Sequence, residues 1–309
     1  MKAKKSKLLS ILLCSVMILG MLPTVAFAEG TKVAWIGEKG YETLEDAVND
    51  AESGDTIVLG EGKYTLYGRN ANTKGKDLTF VGQGADKTAW GIGATIPDPD
   101  KFGTEYNGDY SFDGSGTITF KNMTLQSGTV DYLGFIRADN TVAENCVING
   151  KTFYWGYTSA KFKNTTFNAP EGDYAIWTYS SPTMTFDHCT FNVSGKAINV
   201  YTDFSAGKYD ITVNYNDCVV NSNTPEEKKD KAVMNINDSN MGDYKYIINI
   251  SGNNKVNGVT PDNLNEEYPK EQKDITCSRL FEFNTKYGNG NSGRTVVSID
   301  GIKVWENGN

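Results

Sequence analysis

The sequence predicts an all-β protein, a right-handed parallel β-helix with an N-terminal capping helix. Three observations favour this fold: a short alternating pattern repeats along the chain, the steps between its copies are unequal, and one convincing helix precedes it. In a solenoid each repeat contacts its neighbours, so loops vary in length while strands stack. An up-and-down barrel would instead need hairpin turns of two to five residues, which the spacing does not match.

Residues 1–28 have the order of a secretory signal peptide. Four lysines precede an apolar run from Leu8 to Leu22, and the small-residue sequence Ala26-Phe27-Ala28 provides a cleavage site. We therefore expect a secreted or cell-surface protein, and the lysine-rich leader favours a bacterial source. No linker and no second long apolar run divides residues 29–309, which predicts a single domain with no membrane insertion after cleavage.

The chain is acidic, with a formal net charge of −8 before the four leader lysines are removed. A field of this sign argues against nucleic acid or anionic lipid as a partner.

The one predicted helix lies in "YETLEDAVNDAESGDTIVL". Thr43 can cap its first turn and Gly54 can end it. Four apolar residues fall on one face: Leu44, Ala47, Val48 and Ala51. A single amphipathic helix followed by strands predicts a lid over the open end of a β structure.

The repeat consists of an alternating strand, a polar bend residue, a small residue and a second alternating strand. It occurs as "ITFKNMTLQ", "TVAENCVIN", "AKFKNTTFN", "MTFDHCTFN" and "TVNYNDCVVN". The small residues Met123, Cys146, Thr165, Cys189 and Cys218 are separated by steps of 23, 19, 24 and 29 residues. The polar residues are expected to stack in one bend that uses the left-handed conformation or side-chain hydrogen bonds: Asn122, Asn145, Asn164, His188 and Asp217.

Two further columns recur at 22 residues, one of Phe135, Tyr157, Tyr179 and Tyr201, the other of Leu133, Trp155, Trp177 and Asn199. Alternation along a strand places both columns on one face of a sheet. Polar residues continue this face along each strand, which favours an outward orientation of the two columns. The alternative is that the aromatic rings stack inside the β-helix. An outward ladder predicts a ligand-binding surface formed by Trp155, Tyr157, Trp177, Tyr179, Asn199, Tyr201 and Arg137.

Several segments resemble the pectin-lyase-like superfamily of right-handed parallel β-helices. "TLEDAVNDAESGDTIVLGEGKYTL" is similar to its N-terminal helix and first coil, and "DLTFVGQGADKT" to the next coil of pectin methylesterases. "NCVINGKTFYWG", followed by "AKFKN", resembles the esterase coil C-x-I-x-G-x-x-D-F-I-F-G and A-x-F-x-N-C. The matching residues are Cys146, Ile148, Gly150, Gly156, Ala160, Phe162 and Asn164.

The residues that carry esterase chemistry in this family are not matched. The nucleophilic Asp is replaced within 151–155, and Val130 stands where the family has Gln beside the general acid, leaving Asp131 alone. The family's L-G-R-P-W, whose Arg holds the substrate carboxylate, has no equivalent. Because carboxylate nucleophile chemistry needs two acids and a positive anchor, pectinesterase activity is not expected.

A lyase or glycoside hydrolase on the same fold remains the enzymatic alternative, with Asp131, Asp139 and Asp173 as catalytic candidates. Glycosidase chemistry requires two carboxylates at a defined separation. No cofactor is expected, although the loop acids Asp98, Asp100, Asp109 and Asp113 leave calcium open. No metal site is predicted, because the single histidine, His188, falls in the bend column.

The leading hypothesis is therefore a non-catalytic surface β-helix that binds a polysaccharide or glycan in an adhesin-like role. A third hypothesis is a structural stalk of a longer surface protein. The segment "VSIDGIKVWENGN" has a strand pattern without a cap, so we expect a continuation or a partner at that end. Cys189 and Cys218 share one column, where either a disulfide or two buried thiols fit.

Overall fold

The computed structural model describes residues 32–65, 73–91, 110–126, 135–152, 155–169, 174–178, 182–201, 209–222, 233–236, 245–256, 280–283 and 295–306. These residues form long sheets of stacked parallel strands. The prediction of an all-β parallel β-helix is thereby confirmed, while its right-handed sense stays a prediction.

The described chain contains one helix, α1 (Leu44–Asp50), and short strands, of which few exceed five residues. In chain order the strands are β1 Ala34–Ile36, β2 Lys39–Tyr41, β3 Thr56–Leu59, β4 Gly62–Thr65, β5 Leu78–Val81, β6 Thr88–Gly91, β7 Tyr110–Ser111, β8 Thr117–Lys121, β9 Thr124–Gln126, β10 Phe135–Ile136, β11 Asn140–Glu144, β12 Val147–Asn149, β13 Ser159–Lys163, β14 Thr166–Ala169, β15 Tyr174–Trp177, β16 Thr183–Asp187, β17 Thr190–Val193, β18 Lys196–Val200, β19 Ile211–Asn216, β20 Val219–Ser222, β21 Met234–Ile236, β22 Tyr246–Ser251, β23 Lys255–Val256, β24 Phe281–Phe283, β25 Thr295–Ile299 and β26 Ile302–Glu306.

Three sheets carry the coils. The first has the order β2-β1-β3-β5-β8-β11-β13-β16-β19-β22-β25-β26, and the second has the order β4-β6-β9-β12-β14-β17-β20-β23. The third has the order β15-β18-β21-β24, and β7 pairs with β10 separately. In the first sheet Thr117 pairs with Asn140, Asn140 with Ser159, Ser159 with Thr183 and Thr183 with Thr212. These pairings reproduce the predicted steps between repeats.

The bend between the first and second sheets is built as the sequence predicts. Its five polar residues have positive φ: 55° at Asn122, 54° at Asn145, 48° at Asn164, 53° at His188 and 50° at Asp217. Asn145 Nδ2 donates to Asn122 Oδ1 at 3.2 Å, and Asn164 Nδ2 donates to Asn145 Oδ1 at 3.2 Å. Short polar side chains tolerate this conformation and bond locally, which explains their recurrence here.

Aromatic rings stack in the core between the sheets. Phe162 and Phe186 lie 5.2 Å apart between ring centroids, and Phe167 and Phe191 lie 4.8 Å apart, both nearly parallel. All four side chains are at most 1% exposed. Each coil therefore supplies apolar surface to its neighbours at the same position, which gives the solenoid a continuous core.

Helix α1 begins as predicted, because the Asp46 backbone N–H donates to Thr43 Oγ1 at 3.0 Å. Leu44, Ala47 and Val48 are buried, and the helix packs beside β1, β2 and β3. Its role as a lid stays a prediction. Within the described residues, no helix is both long and apolar enough to cross a membrane.

The C-terminal segment forms a hairpin, where the sequence pattern indicated an uncapped strand. Asp300 and Gly301 have φ of 48° and 78° and connect β25 to the antiparallel β26. Two consecutive residues with positive φ, ending in glycine, are typical of a type I′ hairpin turn. Trp305 of β26 is buried, whereas Ile302 is 70% exposed.

Candidate functional site

Three aromatic residues meet on the outer side of the third sheet, and we call Tyr174, Trp177 and Tyr201 the aromatic patch. All three are partly exposed, while the intervening Ile176 is buried. The Trp177 ring lies 5.4 Å from the Tyr201 ring, tilted by 30°, and 6.0 Å edge-on from the Tyr174 ring. Along β15 the two end residues, Tyr174 and Trp177, are partly exposed and the two residues between them are buried, so this strand departs from strict alternation.

Hydrogen bonds fix Trp177 against the following coil. Its Nε1 donates to the backbone carbonyl of Tyr201 at 3.1 Å. Thr178 Oγ1 donates to the same carbonyl at 3.0 Å and accepts from the Tyr201 backbone N–H at 3.0 Å. Two rings of the patch are therefore ordered before any ligand arrives, which reduces the entropy that binding would cost.

An amide ladder continues from the patch along the outer side of the sheet. Asn199 pairs with Trp177 in register, and Asn235 pairs with Asn199. Asn235 Nδ2 donates to Asn199 Oδ1 at 2.8 Å. A carboxamide has two N–H donors and two acceptor lone pairs, so this bond leaves each amide further hydrogen-bonding capacity.

Two lysines border the patch at Tyr174. The Lys151 ammonium lies 5.2 Å from the centroid of the Tyr174 ring, within the range of a cation–π contact. Lys196 pairs with Tyr174 in register and is 8% exposed. Lys151 thus brings a positive group to the edge of the patch in a protein whose net charge is negative, whereas Lys196 is a buried neighbour in the adjacent strand.

Trp155 does not belong to this surface, and the prediction that it faces outward is wrong. Its side chain is fully buried, packs edge-on against Phe162 at 5.0 Å and donates from Nε1 to Thr152 Oγ1. The 22-residue register fails here, because Thr152 pairs with Ile176, and Trp155 pairs with Ile136. Among the predicted residues, the structure brings together Trp177, Asn199 and Tyr201.

The remaining predicted ligand-binding residues lie on the two preceding coils or outside the described residues. Tyr157 is 37% exposed and its backbone N–H donates to the Ala138 carbonyl at 2.9 Å. Arg137 is partly exposed and directly follows the buried Ile136. Tyr179 lies outside the described residues.

Sequence reasoning missed Tyr174, Lys151 and Asn235. Tyr174 pairs with Lys196, again a step of 22 residues, but an alternating strand would place it on the face opposite to Trp177, so the pattern did not indicate that the two rings meet. Asn235 follows Asn199 only after a long insertion, and its alignment needs the strand pairing. For Lys151 the sequence contained no signal.

The predicted catalytic acids do not form a described cluster. Asp139 is exposed on a turn, where its backbone carbonyl accepts from the Thr158 N–H at 2.7 Å. Asp131 and Asp173 lie outside the described residues, as do three of the calcium candidates, Asp98, Asp100 and Asp109. The fourth, Asp113, is exposed. In the described part of the chain, no three His, Cys, Asp or Glu side chains are grouped as metal ligands.

His188 occupies the bend between two carboxylates. Its Nδ1 lies 2.8 Å from Asp187 Oδ1, and its Nε2 lies 3.8 Å from Asp217 Oδ2. A hydrogen bond from Asn216 Nδ2 at 2.8 Å, together with His188, holds the pKa of Asp187 below its usual value. With its φ of 53°, His188 occupies the left-handed bend position that the sequence predicts for it.

Comparison with known proteins assigns no family. No family model matches the chain, no curated protein is similar enough to match, and no solved structure matches it. The evidence for a parallel β-helix is the repeat in the sequence, the positive-φ bends and the strand pairing. Function must therefore be argued from the site.

Proposed function

We propose that this protein is a secreted or cell-surface β-helix that binds a glycan without cleaving it, and that the aromatic patch is its binding surface. The observation that carries the proposal is Trp177, a partly exposed tryptophan that lies between two tyrosines and is hydrogen-bonded to the backbone of the next coil. Tryptophan side chains are highly buried on average, and Tyr and Trp are enriched at interfaces, so a partly exposed ring between two tyrosines is a candidate contact surface.

The chemistry of the patch fits a sugar. Aromatic rings offer flat apolar faces on which the C–H face of a pyranose can stack, and polar groups at the edge can bond to its hydroxyls. Asn199 and Asn235 supply donors and acceptors beside Trp177, and Lys151 supplies further N–H donors at Tyr174. Apolar stacking and directional hydrogen bonds are both required to recognise a carbohydrate.

The arrangement favours an extended chain over a single sugar. Trp177, Asn199 and Asn235 follow one another across three neighbouring strands, and strands are spaced by about 4.8 Å. A polysaccharide lying parallel to the axis of the coils would meet the ring first and the amides next. Several weak contacts along such a chain add up to useful affinity.

Membership of the pectin-lyase-like superfamily is part of this proposal. The residues that resemble the esterase coil have structural roles here: Cys146 and Ile148 are buried, and Gly150 and Gly156 have φ of 97° and 88°. The esterase nucleophile is not matched. The chain thus has the structural residues of the esterase coil without the nucleophile, which supports binding of a polysaccharide and not its cleavage.

Binding should be measured by calorimetry against soluble polysaccharides, both neutral and acidic, with wild type and Trp177→Ala. We expect the variant to lose about tenfold or more in affinity, as for a central aromatic anchor. Lys161→Ala, on the exposed face of the first sheet, is the matched control and should bind like wild type.

Two results would overturn the proposal. One is that no polysaccharide binds, or that Trp177→Ala binds as tightly as wild type. The other is the appearance of shortened or unsaturated oligosaccharides in the binding mixture, which would indicate an enzyme.

A further inference from the structure

Cys189 and Cys218 occupy the same position in successive coils, directly after the bend residue. The residues that follow them, Thr190 and Val219, pair in register in the second sheet. Paired residues of neighbouring strands place their Cα atoms about 4.8 Å apart. This separation lies within the range of about 4.4–6.8 Å that a disulfide spans.

The Cys218 thiol lies against the backbone of Cys189 inside the core. The Cys189 backbone N–H donates to Cys218 Sγ at 3.4 Å. Both side chains are buried, at 1% and 0% exposure, and both are free thiols in the structure.

Cys146 belongs to the same column but is separated from Cys189 by one coil. Thr165 occupies the intermediate position and is buried. Two strand spacings, about 9.6 Å, exceed the Cα separation that a disulfide can bridge. The stack therefore brings one pair of these three cysteines within bonding distance.

We propose that Cys189 and Cys218 are joined by a disulfide when the chain folds under oxidising conditions, which its predicted export would provide. The oxidant is a small-molecule disulfide such as oxidised glutathione. One protein thiolate attacks this disulfide, forms a mixed disulfide and releases one thiol. The second protein thiolate then displaces the other thiol, so the two cysteines lose two protons and two electrons, and the oxidant is reduced.

The bond forms before the coils close. Burial raises the pKa of the Cys218 thiol far above its usual value, and the thiolate is the reactive species. Once the stack is complete, the Cys218 thiol is protonated, and both side chains are buried away from the oxidant. Folding from the unfolded chain is therefore the step at which redox conditions decide the outcome.

The chain closed by this bond includes β18 and Tyr201. It carries Asn199 and Tyr201, which belong to the amide ladder and the aromatic patch. The disulfide would covalently join the two ends of this segment inside the core. This inference rests on the cysteine geometry and holds whether or not a glycan binds.

The test is to refold the chain from residue 29 onward, either with dithiothreitol or with a mixture of oxidised and reduced glutathione. Free thiols are then alkylated in denaturant without reduction, and the peptides are mapped by mass spectrometry. We expect the glutathione sample to contain one linked peptide pair, Cys189 with Cys218, and an alkylated Cys146. Its midpoint of thermal unfolding should exceed that of the reduced sample by roughly 5–10 °C. This shift is the one expected for the loss of conformational entropy in the unfolded chain when a loop of this length is closed.

Substitutions sharpen the test. Cys146→Ser should retain the linked peptide and the thermal shift, whereas Cys189→Ser and Cys218→Ser should each abolish both. The inference is overturned if Cys189 and Cys218 are both alkylated after refolding with glutathione. It is equally overturned if either is linked to Cys146 or Cys277, and the wild-type peptide map decides this even if a variant fails to fold.

Discussion

Replacing Asn164 by alanine and by glycine tests the bend on which the coil geometry depends. Asn164 has φ of 48° and donates from Nδ2 to Asn145 Oδ1 at 3.2 Å. Both substitutions remove this carboxamide and its hydrogen bond. Only alanine keeps a Cβ, so the difference between the two variants isolates the backbone conformation.

The expected difference follows from two opposing contributions. A residue with a Cβ costs about 1–2 kcal/mol in the left-handed region, relative to glycine. Glycine in turn loses about 0.4–1 kcal/mol because its unfolded chain has more conformations. We therefore expect Asn164→Gly to be more stable than Asn164→Ala, by about 1 kcal/mol.

Lys161 provides the matched control. It lies in β13 three residues earlier, is exposed, and has extended backbone. There glycine should be less stable than alanine by about 0.5–1 kcal/mol. The order of the alanine and glycine variants is thus predicted to reverse between two nearby exposed positions.

Urea unfolding, followed by circular dichroism, measures the stability of the four variants. Their unfolding free energies are compared through the midpoint urea concentrations, with one slope m used for all four. If glycine is less stable than alanine at 164, as at 161, the bend is not left-handed. The stacking of the repeats through this column would then be wrong.

Trp155→Ala should cost about 3–5 kcal/mol of unfolding free energy, because the ring is fully buried against Phe162. Trp177→Ala, which removes a partly exposed ring, should cost less than half as much in the same urea titration. The depressed pKa of Asp187 stabilises the fold above the unfolded pKa of about 3.9, and this contribution is lost as pH falls through the folded pKa. The midpoint of thermal unfolding should therefore differ between wild type and Asp187→Asn at pH 7, and the difference should shrink below about pH 4. Gly156→Ala should destabilise by roughly 2–3 kcal/mol, because φ is +88° and a Cβ would lie 2.6 Å from the Ser159 carbonyl oxygen.

Each of these expectations has a contradicting result. Equal losses for the two tryptophan variants would contradict the difference in their burial. A constant difference between wild type and Asp187→Asn across the acid range would show that the charge of Asp187 does not stabilise the fold. Wild-type stability of Gly156→Ala would contradict the turn at that residue.

The bend column could be predicted because it follows a local rule. Each repeat needs one residue that accepts positive φ, and Asn, Asp and His meet that need at low cost. The unequal steps then follow from loop insertions that leave the strand pairing intact, as with Asn140 and Ser159. The bend residue is visible within each repeat and the steps in the comparison of successive repeats, so neither needs knowledge of the remaining fold.

The orientation of the aromatic columns could not be predicted as reliably. Side chains alternate along a strand, so a shift of one residue moves a ring from solvent to core. Trp155 and Trp177 are 22 residues apart, yet the chain turns at Gly156 and Trp155 pairs with Ile136. That local turn depends on contacts with the preceding coil, which the sequence pattern does not show.

The C-terminal hairpin is a different case, because its signal was present. Asp300-Gly301 between two alternating segments is among the strongest short-range indications of a hairpin. Extending the parallel repeat to the end of the chain obscured it. The antiparallel β26 follows from this local turn.

Iodide quenching of tryptophan fluorescence tests the proposed glycan-binding surface most directly. All five tryptophans lie in the described part of the chain; Trp177 is partly exposed, whereas four are buried: Trp35, Trp90, Trp155 and Trp305. The quenchable fluorescence of the wild-type protein therefore reports on Trp177 without a substitution. A polysaccharide that binds at the aromatic patch should protect this fraction from iodide, and Trp177→Phe should remove the protected signal. Binding that leaves the quenchable fraction unchanged would place the glycan elsewhere and contradict the proposed site.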